Sequence, residues 1–207
     1  MATNVSTPDR IAIGALAPQP WKNGAGLTRE IAIRHHDGNA SAAAFDWRIS
    51  LADVAHDAPF SAFPGVDRCI TLLRGAGMQL RSDDGALAHR LDTRLQPFHF
   101  SGDLALQAHL FDGACSDCNV MTRRGAWRAD VVAVHGTCEL NDADATLLLG
   151  LAGGWTIETG ATDHDAAWAL AADHALLWRA KRGALWATPS QPQDAVLLLV
   201  RLCQDGP

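Results

Sequence analysis

Two arginines are the residues best suited to chemistry in this chain. A guanidinium donates two parallel hydrogen bonds to a planar carboxylate, so Arg48 and Arg68 are candidates for holding an organic anion. Glu30 and Asp117 can balance that charge or accept an amine or imidazole from a ligand. Asn23, Thr28, Ser50, Ser61 and Asn119 supply neutral donors and acceptors, and Trp47, Phe60 and Phe63 can wall a cavity. A few convergent polar groups on an apolar lining make a small-molecule site. The same residue types also suit a buried ion-pair network that only holds the fold, because buried charges are normally paired.

Other chemistries find less support. A metal site on neighbouring strands could use two histidines one residue apart, and no His-x-His occurs. His35 and His36 are adjacent and point opposite ways on a strand. Of the scattered histidines, His99 is best placed to touch a ligand. Cys115-Ser116-Asp117-Cys118 is a C-x-x-C, but no second ligand pair follows it, so it reads as a chance pair in a loop. No Gly-x-Ser-x-Gly occurs, and Asn23-Gly24-Ala25-Gly26 lacks the Lys-Ser/Thr ending of a phosphate loop. No metal or cofactor is expected, and no catalytic residue is assigned.

The elements that carry these residues read as strands. Glycine and proline recur every ten or so residues, and short apolar runs lie between them. That spacing predicts an all-β sandwich or barrel. Asp83-Asp84-Gly85 predicts a tight turn, whereas Asp163–Ala172 looks helical or turn-like. Each half carries a glycine-marked hairpin, Gly75–Gly85 and Gly150–Gly160, which predicts two β-sandwich units, with approximate halves 1–110 and 111–207 in one compact chain. Alternation puts Asp46, Arg48, Ser50 and Ala52 on one face and Phe45, Trp47, Ile49 and Leu51 on the other. It also groups Thr28 with Glu30, Arg68 with Ile70 and Leu72, and Asp117 with Asn119. Alternation alone leaves two readings open: a wet outer face, which is the norm, or the lining of an internal cavity.

Composition bounds the rest. The 207 residues are 48% hydrophobic and 19% charged, ordinary globular values. The net charge of −6 argues against nucleic acid and against an anionic membrane face. Five cysteines, an odd number without an export signal, point to reduced thiols and a cytoplasmic location.

Several of these stretches carry a family resemblance. Trp21-Lys22-Asn23-Gly24-Ala25-Gly26-Leu27-Thr28-Arg29-Glu30-Ile31 resembles the opening signature of the HutD/Ves family. Phe45–Ala52, Pro59–Arg68, Pro97–Asp103 and Asp117–Arg124 resemble its later blocks, in the same order. Ala25 and Ala58 stand where the family usually has glycine, and Cys118 replaces a bulky apolar residue. An alanine at position 25 would cost about 1 kcal/mol if that position required positive φ. The resemblance implies a bicupin, two cupin-like β-barrel units in one chain, associated with bacterial histidine utilisation and stress response. It implies binding of a small carboxylate of the urocanate, formiminoglutamate or formylglutamate class, with a homodimer left open. The alternative is a metal-free cupin enzyme, a hydrolase or isomerase, acting on a formylated or imidazole-bearing acid. Glu30 or Asp117 would then be its acid or base.

Overall fold

The computed structural model describes residues 7–36, 45–159, 166–181 and 183–206. Among them there is no α-helix; Ile13–Ala15 forms a 3-10 turn, and no helix is long and apolar enough to cross a membrane. The chain is all-β. In order, the strands are β1 (Asp9–Ala12), β2 (Gln19–Pro20), β3 (Gly26–His35), β4 (Phe45–Val54), β5 (Ala58–Phe60), β6 (Val66–Arg74) and β7 (Met78–Ser82). Next come β8 (Ala88–Leu91), β9 (Pro97–Ser101), β10 (Leu106–Leu110), β11 (Cys115–Arg123), β12 (Trp127–Val134) and β13 (Cys138–Leu140). The last are β14 (Ala145–Ala152), β15 (Trp155–Thr159), β16 (Ala167–Leu170), β17 (His174–Trp178), β18 (Leu185–Pro189) and β19 (Val196–Gln204).

The chain divides into two units. The first is Leu16–Ala129 with Asp205–Pro207, and the second is Met1–Ala15 with Asp130–Gln204. The division therefore falls at 129/130 and not at 110/111. The reason is β11, a central strand of the first unit's larger sheet, paired with β4 on one side and β6 on the other. In the first unit the sheets run β2-β3-β4-β11-β6-β9 and β5-β10-β7-β8. The second unit's sheets run β1-β17-β14-β19-β12 and β13-β18-β15-β16. Adding eight to each label of β4-β11-β6-β9 and β5-β10-β7-β8 reproduces the second unit's order. The two units thus repeat one topology, which residue identity does not reveal.

The core of the first unit lies between its two sheets. Ala52, Val54, Ile70, Leu72, Phe100 and Cys115 of the larger sheet pack on Phe60, Met78, Leu80, Leu91, Leu106 and Ala108 of the smaller. The second unit builds its core likewise, with Leu148, Leu176 and Leu199 against Trp155, Ile157, Trp168 and Leu185. Trp168 and Leu170 alternate with exposed Ala167 and Ala169. Two-residue alternation of this kind makes β16 a strand, so the helical look of that alanine-rich stretch is overridden by cross-strand packing against β15. Residues 163–165 lie outside the described residues.

Turn chemistry agrees with the strand pattern. Gly85 has φ of 75°, its N–H donates to the Ser82 carbonyl at 3.1 Å, and Asp84 Oδ1 accepts from Ser82 Oγ and the Ala86 N–H. Gly77, between β6 and β7, has φ of 89°, and a Cβ there would sit 1.9 Å from the Leu91 carbonyl oxygen. Gly24 has φ of 71° with nothing within 4 Å. Gly77→Ala is therefore expected to cost roughly 3 kcal/mol or more and Gly24→Ala about 1 kcal/mol, read by chemical denaturation. Equal costs would mean that backbone strain, and not the clash with β8, governs Gly77.

Candidate functional site

The interior of the first unit is where the polar side chains gather. Ala52 and Val54 face the smaller sheet, so Ser50 and Arg48, two and four residues earlier on β4, face it too. Register carries the same face across the sheet. Thr28 and Glu30 of β3 pair with Ala52 and Ser50. Asp117, Asn119 and Met121 of β11 pair with Ala52, Ser50 and Arg48 on one side and with Leu72, Ile70 and Arg68 on the other. Phe100 of β9 pairs with Arg68. The polar face of β4 is the inside of the sandwich. Its apolar face is buried as well: Phe45, Trp47 and Ile49 are each at most 5% exposed.

Arg68 is the most unusual group in this interior. It is 4% exposed, and its guanidinium carbon lies 5.5, 5.6 and 5.0 Å from the ring centroids of Phe60, Phe63 and Phe100. Cation–π attraction of this kind favours the charge without neutralising it. Its Nη1 donates to the Ser61 carbonyl at 3.3 Å, and its Nε has no partner among the described residues. No described carboxylate lies within ion-pair distance. Burial lowers the guanidinium to about 10; the Asp117 charge opposes that fall and Arg48 adds to it. Even so, Arg68 stays cationic at neutral pH.

Asp117 is fully buried, and neither of its carboxylate oxygens has a partner among the described residues. Burial pushes its carboxyl up to about 7, Arg68 pulls it down, and Asp53 pushes it up. Asn119 is also buried, with its Oδ1 unpartnered. Arg48 is held differently, its Nε donating to Glu30 Oε2 at 2.7 Å, and both side chains are partly open to solvent. Thr28 Oγ1 accepts from Trp21 Nε1 at 2.7 Å, and the Trp21 ring meets Phe60 edge-on at 5.7 Å.

Four proposed members stand elsewhere. Trp47 alternates with Arg48 and lies on the opposite face of β4, so the tryptophan at this interior is Trp21. Asn23 is exposed in a turn, where its Oδ1 caps the Ala25 N–H at 3.1 Å. Positive φ in that turn falls on Gly24, so Ala25 is unstrained. Ser61 is exposed and contributes its backbone carbonyl. His99 is exposed and alternates with Phe98 and Phe100. It borders a groove of 350 Å³ whose lining includes Asp67, Arg68, Cys69, Phe100, Thr122 and Arg128. Phe100 and Trp21 are the functional candidates that residue chemistry passed over. Both sit in the motif-like stretches quoted above, and alternation from Arg68 through its β9 partner points to Phe100.

Other motif residues have structural work. Arg124 donates to Asp67 at 2.7 Å, to Asp103 at 2.5 Å, to Ser101 Oγ at 2.7 Å and to the Val66 carbonyl at 3.1 Å. Asp103 also accepts the Gly65 N–H, and these bonds, Arg124 foremost, hold its carboxyl down at about 2. This cluster pins the Pro64-Gly65 corner that leads into Arg68. Cys115 and Cys118 belong to β11 and not to a loop. Cys115 packs in the interior core while Cys118 lies on the other face, and burial raises both thiols, Cys115 to about 12. They are inert core residues. Among the described residues no three His, Cys, Asp or Glu side chains converge as a metal would require.

Comparison with known proteins places this geometry in a family context. The HutD family model matches residues 14–198. Protein Ves of Citrobacter koseri is 38% identical over 153 residues, 70% of this chain and 77% of that protein. A conserved protein of unknown function from Pseudomonas aeruginosa is similar in structure at 33% identity and a TM-score of 0.77. HutD from Pseudomonas fluorescens (formate condition) is similar at 28% identity and a TM-score of 0.79. Both structural matches cover 96% of this chain and 100% of the other. A cupin 2 conserved barrel domain protein from Leptotrichia buccalis, at 9% identity and a TM-score of 0.54 over 97% of this chain, shares the fold alone. The fold is cupin-like.

Proposed function

The chain belongs to the HutD family, and from that premise we propose that its first unit binds a small organic acid, with Arg68 and Arg48 on the carboxylate. The observation that carries this reading is Arg68, a buried cation with an unpartnered Nε and, among the described residues, no carboxylate bonded to it. A structural arginine at such depth normally owns an acidic partner, because an uncompensated buried charge costs several kcal/mol. A ligand carboxylate supplies that partner on binding. Asn119, Ser50 and Thr28 add neutral hydrogen-bonding groups, and Phe60, Phe63, Phe100 and Trp21 supply the apolar wall. The family's association with histidine utilisation directs the choice of acid to urocanate, formiminoglutamate or formylglutamate. Binding would report or limit the level of that metabolite, and so modulate the pathway.

Thermal-shift measurement with a panel of these acids tests the reading. An acid at about 100 times its Kd adds about 2.7 kcal/mol to stability. If no member raises the melting temperature, the acid-binding reading falls. Conversion of any member, followed by mass spectrometry, would replace it with the hydrolase or isomerase reading.

A further inference from the structure

We propose that Asp117 binds the acid as a neutral carboxylic acid: the ligand enters as an anion, Asp117 takes up one proton from solvent and keeps it, and its O–H donates a hydrogen bond to the bound carboxylate. The inference rests on the acid-binding reading and adds to it a residue and a protonation state. Asp117 sits mid-strand on β11, between Ala52 of β4 and Leu72 of β6. It is the one fully buried carboxylate among the interior polar groups, and both its oxygens lack a protein partner among the described residues.

The charged groups around it define what an incoming anion does. Arg68 of β6, Arg48 of β4 and Glu30 of β3 stand on the same interior face, with Arg48 and Glu30 already paired. Asp53, on the opposite face of β4, has its carboxylate committed to Arg29 and Ser116. Cys115 lies on the same strand as Asp117, and burial keeps its thiol neutral. From the smaller sheet the one inward titratable group is His89 on β8, stacked on the Phe98 ring at 3.5 Å; the neighbouring inward residues Met78, Leu80, Leu91 and Leu106 are apolar. Arg68 is thus the charge that favours an ionised Asp117.

An entering carboxylate takes the unpartnered Nε of that same Arg68. It cancels the field that favours the Asp117 anion and brings a second negative charge into the same enclosed space. Two carboxylates so placed cannot both remain ionised, and they share a proton. The proton belongs on Asp117, because the ligand keeps the guanidinium and Asp117 has no donor of its own. Burial already holds the Asp117 carboxyl near neutrality, so the proton is half present before the ligand arrives.

N-formylglutamate is the suitable probe, since none of its groups titrates between pH 6 and 8. Isothermal titration calorimetry at pH 8, in two buffers of different ionisation heat, is expected to find uptake of nearly one proton per acid bound. Affinity is expected to fall about tenfold from pH 6 to pH 8, following the protonated fraction of Asp117. Asp117→Asn, which is neutral at every pH, is expected to show a flat profile, no proton uptake, and binding at pH 8 about tenfold tighter than the native protein. Binding without proton uptake, or a pH profile that persists in Asp117→Asn, overturns the proposal while leaving acid binding intact. The uptake measurement on the native protein decides the matter even if the variant does not fold. No binding of formylglutamate, urocanate or formiminoglutamate at pH 6 overturns the acid-binding reading itself, and this inference with it.

Discussion

Asp117→Asn is expected to stabilise the unliganded protein at pH 8 and to leave it nearly unchanged at pH 4. In the folded protein the Asp117 carboxyl titrates at about 7, raised from 3.8 chiefly by burial. Between those values the unfolded chain has released the proton and the folded protein still holds it. Stability therefore falls as pH rises through this window, by about 1.4 kcal/mol per pH unit for one proton. The loss is complete above pH 7 and absent below about pH 4. Its full size is about 4 kcal/mol at most, because relaxation around the carboxylate reduces it. Asparagine has the same shape and no charge, so it escapes the loss. Urea denaturation of both proteins at pH 4, 6 and 8 isolates the effect, since every other titrating group is common to the two. A difference in stability that does not change with pH would mean that Asp117 ionises freely in the folded protein.

Arg68→Met is expected to abolish binding of the panel acids while leaving the unliganded protein as stable as before, or more so. Methionine keeps the apolar stem against Phe60, Phe63 and Phe100 and removes a charge with no ion-pair partner among the described residues. Removing one member of a buried, hydrogen-bonded charge pair costs 2–5 kcal/mol, so the loss of affinity is expected to exceed about thirtyfold. Arg48→Met is expected to weaken binding less, because Arg48 is already shared with Glu30 and is partly solvated. The stability measurement separates function from structure. Had Arg68 held the fold through a buried ion pair, methionine would destabilise the protein by about 3–5 kcal/mol. Thermal melts of the native and variant proteins, with and without N-formylglutamate, read both quantities at once.

Much of the larger sheet was legible in the chain. Alternation grouped Arg48 with Ser50, Arg68 with Ile70 and Leu72, and Asp117 with Asn119, and each group does share a strand face. Alternation is local, and backbone stereochemistry enforces it wherever a strand forms. The misplaced residues have local explanations too. Asn23 was chosen for its amide, which a tight turn consumes. Trp47 offers a ring that could wall a cavity, but its parity with Ile49 sets it on the other face. His99 is the histidine best placed by sequence to touch a ligand, yet its neighbour Phe100 carries the inward parity. The stretch before Leu170 looked helical because alanine favours helix, and cross-strand partners outweighed that preference.

Residue types and their spacing sufficed for an all-β chain, its turns, and two arginines suited to a carboxylate. They could not say which side of β4 is the inside, since an antiparallel strand with one polar face is ordinarily wet there. That depends on whether a second sheet covers the polar face, which gathers residues far apart in sequence, such as Ala52, Leu80 and Leu106, into one core. The same holds for charge. Nothing local distinguishes Arg48 from Arg68, yet one meets Glu30 through strand pairing and the other is enclosed by three aromatic rings with no acid in contact among the described residues. Burial, and the lack of a counter-charge in contact among the described residues, belong to the assembled interior, and they are what single out this arginine and this aspartate.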